Sequence, residues 1–225
     1  MVDKILKKTN SQLISSLNDL SESERLYTVD DISESSSSEL SLGLLQRLKI
    51  ENSGAVKNSI LSALQKTEYP STYREIFNLF PNKDAYLRNS AVSIFGSYGE
   101  GAVTFLSSYI DHSNKEVRKL IIDSLVEIAT NRHNTLISVL EILRACLYDP
   151  DINVVITTVE YLGILGDINS LDNISELYKR NEEPMLRFTI LEVIRKIGQK
   201  KDFEKVLPDL FLNDFSPRDS LEVSP

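Results

Sequence analysis

Residues 87–99 read Leu87-Arg88-Asn89-Ser90-Ala91-Val92-Ser93-Ile94-Phe95-Gly96-Ser97-Tyr98-Gly99. An apolar residue, a basic one, two variable positions, two mostly apolar positions, two variable ones and an apolar residue follow in turn. The apolar positions recur at three- and four-residue steps, which puts them on one face of a helix. The glycine that closes the phrase is suited to the left-handed conformation that ends helices.

The phrase returns along the chain. It stands as Val56-Lys57 through Ile60 and Leu61 to Leu64, and as Val117-Arg118 through Ile121 and Ile122 to Leu125. It stands again as Val154-Val155 to Leu162 and as Leu186-Arg187 through Ile190 and Leu191 to Ile194, with a weaker copy at Arg25, Val29 and Ile32. Taking the basic position as marker, the copies fall at 25, 57, 88, 118, 155 and 187, with intervals of 32, 31, 30, 37 and 32 residues. Gly99, Gly166 and Gly198 each lie 11 residues past their marker, so a second signal keeps the same register. A fixed period of this length is the signature of stacked two-helix units. The long interval locates an insertion near residues 130–134.

Each copy has a second apolar-periodic run after its turn, at residues 40–48, 73–80, 102–110, 135–148, 170–178 and 203–211. Clusters of Asp, Asn and Pro separate the copies, at residues 81–84, 111–115, 149–151 and 181–184. Such residues accept bonds from the orphan amides that begin a helix. No segment alternates with period two, so the expected fold is all-α, an α-α superhelix of about six helical hairpins.

The apolar-Arg pairs Leu87-Arg88, Val117-Arg118 and Leu186-Arg187, together with Phe95-Gly96-Ser97-Tyr98-Gly99 and Leu162-Gly163-Ile164-Leu165-Gly166, resemble the HEAT-repeat superfamily. They are most similar to the short HEAT-like repeats of the phycobilisome-lyase (PBS lyase) type. The resemblance implies a solenoid over about residues 24–210. It implies little about function, because that superfamily hosts scaffolds, adaptors, chaperone-like lyases and a few enzymes. Val155 replaces the basic marker, so any ladder of Arg and Asp between copies is expected to break there.

At the ends, Val2, Ile5, Leu6, Leu13, Ile14 and Leu17 share a helical face, which reads as a capping helix over residues 1–20 covering the first repeat, the alternative being an amphipathic helix that docks on a partner or a membrane. The repeats are expected to fill residues 21–212, and residues 213–225 read as a disordered tail. Residues 33–39, rich in Ser and Glu, are expected to form an exposed turn within the first copy.

Composition narrows the function classes. The 225-residue chain carries a net charge of −8, which disfavours a nucleic-acid role, since phosphate binding needs concentrated Lys and Arg. No run reaches the roughly 18 apolar residues of a membrane span, and the N-terminus lacks the apolar core of a signal peptide. With a lone Cys146, this places the protein in the cytoplasm. The two histidines, His112 and His133, fall in different repeats, so no metal site is expected. Cys146 lies on a second helix, where a small thiol is ordinarily buried. No catalytic residue, metal or cofactor is therefore assigned, and the chain is read as a non-enzyme.

What remains is a protein-binding scaffold or adaptor, a candidate component of a larger assembly, that uses the concave face lined by second helices. Residues placed on that face by helical phase are Arg74, Asn78, Ser108, Tyr109, Glu141, Arg144, Asn173, Glu176 and Lys179, with Lys205 and Asp209 beyond them. Tyr109 is the best single anchor, since aromatic residues are enriched at binding hot spots. The alternative, which the phycobilisome-lyase resemblance permits, is a chaperone-like lyase or enzyme subunit using the same groove.

Overall fold

A computed structural model of the chain describes residues 8–35 and 37–198. Twelve α-helices and three short 3₁₀ turns account for the regular structure, with no strand among the described residues. The helices are α1 (Asn10–Ser16), α2 (Glu22–Ser35), α3 (Ser38–Ile50), α4 (Gly54–Lys66), α5 (Tyr73–Phe77) and α6 (Ala85–Gly96). They continue as α7 (Glu100–Ser107), α8 (Lys115–Asn131), α9 (Leu136–Cys146), α10 (Ile152–Leu165), α11 (Leu171–Arg180) and α12 (Pro184–Gly198). The fold is all-α and built of helical hairpins, with every marker residue on a first helix. No helix among the described residues is long and apolar enough to cross a membrane.

The chain divides into two compact units, one up to Val154 and one from Val155. In the first, α2, α4, α6 and α8 lie side by side as a row of first helices, α2 against α4, α4 against α6 and α6 against α8. Their partners α3, α5, α7 and α9 form a second layer, with α3 touching α5 and α7 touching α9. The apolar residues of the repeated phrase fill the space between layers: Val56, Ile60, Leu64, Ala91, Ile94, Phe95, Ile121 and Leu125 are all buried. Helix α1 packs on α2 and α3 and buries Leu13 and Leu17. It starts from a capping box in which Thr9 and Gln12 each accept the other's backbone N–H. The second unit pairs α11 with α12 and buries Ile174, Tyr178, Leu186, Ile190 and Ile194.

The glycines three residues before the closing Gly99 and Gly166, Gly96 in α6 and Gly163 in α10, have a packing reason to be there. A Cβ on Gly96 would lie 2.4 Å from Cγ and 2.9 Å from Cβ of Glu127 on α8, and one on Gly163 would lie 2.7 Å from a methyl of Val193 on α12. These two positions let neighbouring first helices approach more closely than any side chain allows.

The structure departs from the sequence expectation at two places. Gly166 takes the left-handed conformation (φ 72°), but Gly99 does not: it is the extended N-cap of α7 (φ −119°), its amide donating to the Glu68 carboxylate at 3.0 Å. Helix α6 closes instead through the amides of Ser97 and Tyr98, which bond three residues back. Residues 33–39 are largely helical, because α2 runs to Ser35 and Ser37 caps α3 by accepting from the Leu40 amide. The longer interval between markers 118 and 155 is taken up by helix: α8 has 17 residues against 12 in α6, and α9 has 11 against 8 in α7. The tail at 213–225, the second run at 203–211 with Lys205 and Asp209, and residues 1–7 lie outside the described residues.

Candidate functional site

The markers come first, because they hold the frame on which the candidate face is mounted. Arg25, Arg88 and Arg118 each send Nη1 back to carbonyl oxygens six and five residues earlier: Asp19 and Leu20, Asn82 and Lys83, His112 and Ser113. Arg187 bonds the Asn181 carbonyl, also six residues back, at 3.3 Å. The basic residue thus pins the turn that leads into its own helix, satisfying carbonyls that a helix end leaves orphaned. The same turns share another bond. The side chains of Glu51, Asn82, His112 and Asp149, each six residues before a marker, accept the amide two residues on.

Two of the arginines carry a carboxylate as well. Glu51 sits on the Nε and Nη2 of Arg25 at 2.8 and 3.1 Å and also pairs with Arg47 at 2.7 Å. Burial alone would raise the Glu51 carboxyl. Arg25, the Ser53 amide, Arg47 and the Asn52 amide together hold it at about 2, below its ordinary 4.5. Asp149 takes Arg118 in the same two-point fashion, both bonds at 2.7 Å. Beside it, Asp151 bonds Lys115 at 2.9 Å. Lys57 carries no fork. Its ammonium lies 4.9 Å from the centre of the Tyr86 ring.

On the second-helix layer of the first unit, two of the expected residues meet. The Arg74 guanidinium of α5 lies 5.3 Å from the ring centre of Tyr109, which follows α7. Beneath Tyr109 are Phe77 at 4.5 Å and Phe105 at 5.1 Å, and the rings continue inward through Tyr73, Phe95 and Tyr98. Tyr109 is half-exposed and Arg74 exposed, whereas the rings below are increasingly buried. Asn78 and Ser108 are exposed on the same two elements, and the Ser108 hydroxyl donates to the Phe105 carbonyl at 2.7 Å.

Glu141 and Arg144 lie on α9, exposed and half-buried respectively. They belong to a stripe the sequence reading had only in part: Ile137, Glu141, Arg144 and Tyr148 follow at four, three and four residues. Ile137 is 72% and Tyr148 70% exposed, so the stripe begins and ends on uncovered apolar side chains. Both were hidden in the sequence because residues 135–148 were read as one apolar run, and periodicity does not separate its inner from its outer members. In the second unit, α11 carries Asn173 (half-buried), Glu176 and Lys179 (exposed). Glu176 is paired along the helix with Arg180 at 2.7 Å.

Cys146 is buried at the end of α9, where desolvation and the charges of Asp149 and Asp111 push its thiol up to about 12 despite Arg118. Among the described residues no group of three His, Cys, Asp or Glu side chains is placed to hold a metal ion.

Residues 103–195 match the family model for HEAT repeats. This segment is similar to HEAT repeats. It begins within α7 and ends within α12, and so takes in the copies marked at 118, 155 and 187. No curated protein sequence matches the chain. Similar solved structures include the HEAT-like repeat protein of the archaeon Thermococcus onnurineus NA1, at 14% identity over 84% of this chain and 87% of that one (TM-score 0.41). An engineered protein aligns at 13% identity over 84% and 96% (TM-score 0.41). The CpcE–CpcF complex of the phycocyanin lyase of Nostoc sp. PCC7120 aligns at 13% identity over 89% and 91% (TM-score 0.34).

Proposed function

We propose that the protein is a non-catalytic scaffold that binds another protein through the second-helix layer of its HEAT repeats, centred in the first unit on Arg74 and Tyr109. The observation that carries this reading is the mounting of Tyr109. Its ring is held between an exposed guanidinium and a buried aromatic stack, so it reaches the surface already oriented. A rigid aromatic anchor loses little conformational freedom on binding and supplies large contact area. The α9 stripe lies on the helix that touches α7 and adds Ile137 and Tyr148 as apolar contacts around Glu141 and Arg144. Exposed apolar side chains interspersed with charges are a usual composition of a protein-binding face. The burial of Cys146 supports the absence of catalysis, since a thiol held near 12 supplies almost no thiolate at neutral pH.

The test is a partner isolated with the wild-type protein and then titrated against variants. Arg74→Ala combined with Tyr109→Ala is expected to weaken binding by at least about tenfold, as hot-spot truncations do. Ile137→Ser with Tyr148→Ser tests the stripe separately. Undiminished affinity in both double variants, with helicity retained, would refute the assignment of this face.

A further inference from the structure

We infer that Arg88 and the pocket beside it form a receptor for a carboxylate supplied from outside the chain. Arg25, Arg88 and Arg118 hold the same register and use Nη1 identically, each gripping two carbonyls of the preceding turn. In Arg25 and Arg118 the remaining edge, Nε and Nη2, is filled by Glu51 and Asp149 in a two-point grip. Those carboxylates stand six residues before the marker of the following copy. For Arg88 the corresponding position is His112, an imidazole whose Nδ1 accepts from the Asn114 amide and whose ring packs on Phe77. The Nε and Nη2 of Arg88 accordingly face no acceptor among the described residues.

Arg88 also lines a surface pocket of about 470 Å³, together with Asn89, Asn114, Lys119, Glu116 and Asp123. Lys119 lies 3.7 Å from Glu116, at the limit of an ion pair, so its ammonium remains available to a closer anion. Asn89 and Asn114 add amide donors. A planar carboxylate is the group whose two oxygens match the guanidinium edge, as the two filled copies show. Glu116 and Asp123 line the same pocket, so the anionic groups it seats are limited to one carboxylate at a time, whatever the charge elsewhere on the ligand. That group can come from an acidic side chain of a polypeptide or from a small free acid; the chemistry recognised is the same.

The experiment follows the Nε–Hε signals of the arginines by ¹⁵N NMR, at constant ionic strength, with glutarate and with hexaglutamate as probes. The Arg88 signal, assigned by its loss in Arg88→Lys, is expected to shift saturably while those of Arg25 and Arg118 stay still. Lys119→Gln, which leaves the turn untouched, is expected to weaken binding severalfold. His112→Asp places a carboxylate at the register of Asp149; it is expected to lower affinity for both probes by at least about tenfold, the worth of one charged hydrogen bond. Hexaglutamate binding at least about tenfold tighter than glutarate assigns the carboxylate to a polypeptide, and equal affinities assign it to a free acid. No saturable shift at Arg88 with either probe overturns the inference. So does unchanged binding in a folded His112→Asp variant, since the open edge would then not follow from the missing acid.

Discussion

Glu51 is the residue on which most bonds converge. It is 3% exposed, receives Arg25 and Arg47, and accepts two backbone amides of the turn before α4. Glu51→Gln keeps the shape but removes the charge, leaving two guanidinium groups without their counterion. The expected loss is about 3 kcal/mol in urea denaturation at pH 7. The dependence on pH follows from the depressed carboxyl. In the unfolded chain it titrates near its ordinary 4.5, and in the folded protein at about 2. Its contribution is therefore complete above about pH 5, falls as the solution is acidified through that interval, and is gone below about 2. Denaturation midpoints of wild type and Glu51→Gln should converge as pH falls from 5 to 2. Curves that stay parallel across that range would contradict the assignment.

At the scale of the element, the contact of α6 with α8 depends on a missing side chain. Gly96→Ala would place a methyl group within 3 Å of three side-chain carbons of Glu127, one of them Cβ, which cannot move without its backbone. Alanine favours a helix over glycine by up to about 1 kcal/mol, whereas overpacking costs about 1–3 kcal/mol. The variant is expected to be less stable by about 1 kcal/mol in chemical denaturation. Gly54→Ala is the control, because nothing lies within 4 Å of its added methyl, and it should be neutral or mildly stabilising. The glycines also show why the phrase was legible. Helical steps and the apolar-Arg pair fix each first helix from local sequence. Whether Gly96 ends a helix or admits a neighbour 31 residues away is a property of the neighbour, so the two roles could not be separated beforehand.

Across the molecule, the repeat was legible because the same packing problem is solved again every 30 or so residues. The candidate face was less so. Tyr109 and Arg74 were both named from helical phase, but their contact depends on the offset between α5 and α7, which no single copy contains. Ile137 and Tyr148 were missed because the run around them is apolar on two sides. The expected break of the Arg–Asp ladder at Val155 was read from the marker alone. The structure adds that the ladder is already incomplete at Lys57 and Arg88, since the acceptors opposite them are Asn82 and His112.

That uneven ladder has a mechanical consequence. Junctions fastened by a buried ion pair resist bending, and those held only by backbone carbonyls yield under smaller loads, so compliance within the first unit is concentrated between its ends. Hydrogen exchange reads this directly: amides of the turn at residues 112–116 are expected to exchange faster than those at 149–153, by roughly tenfold if one charged pair separates them. The first unit would then flex at its two middle joints, those of Lys57 and Arg88, while the joints of Arg25 and Arg118 keep their angles.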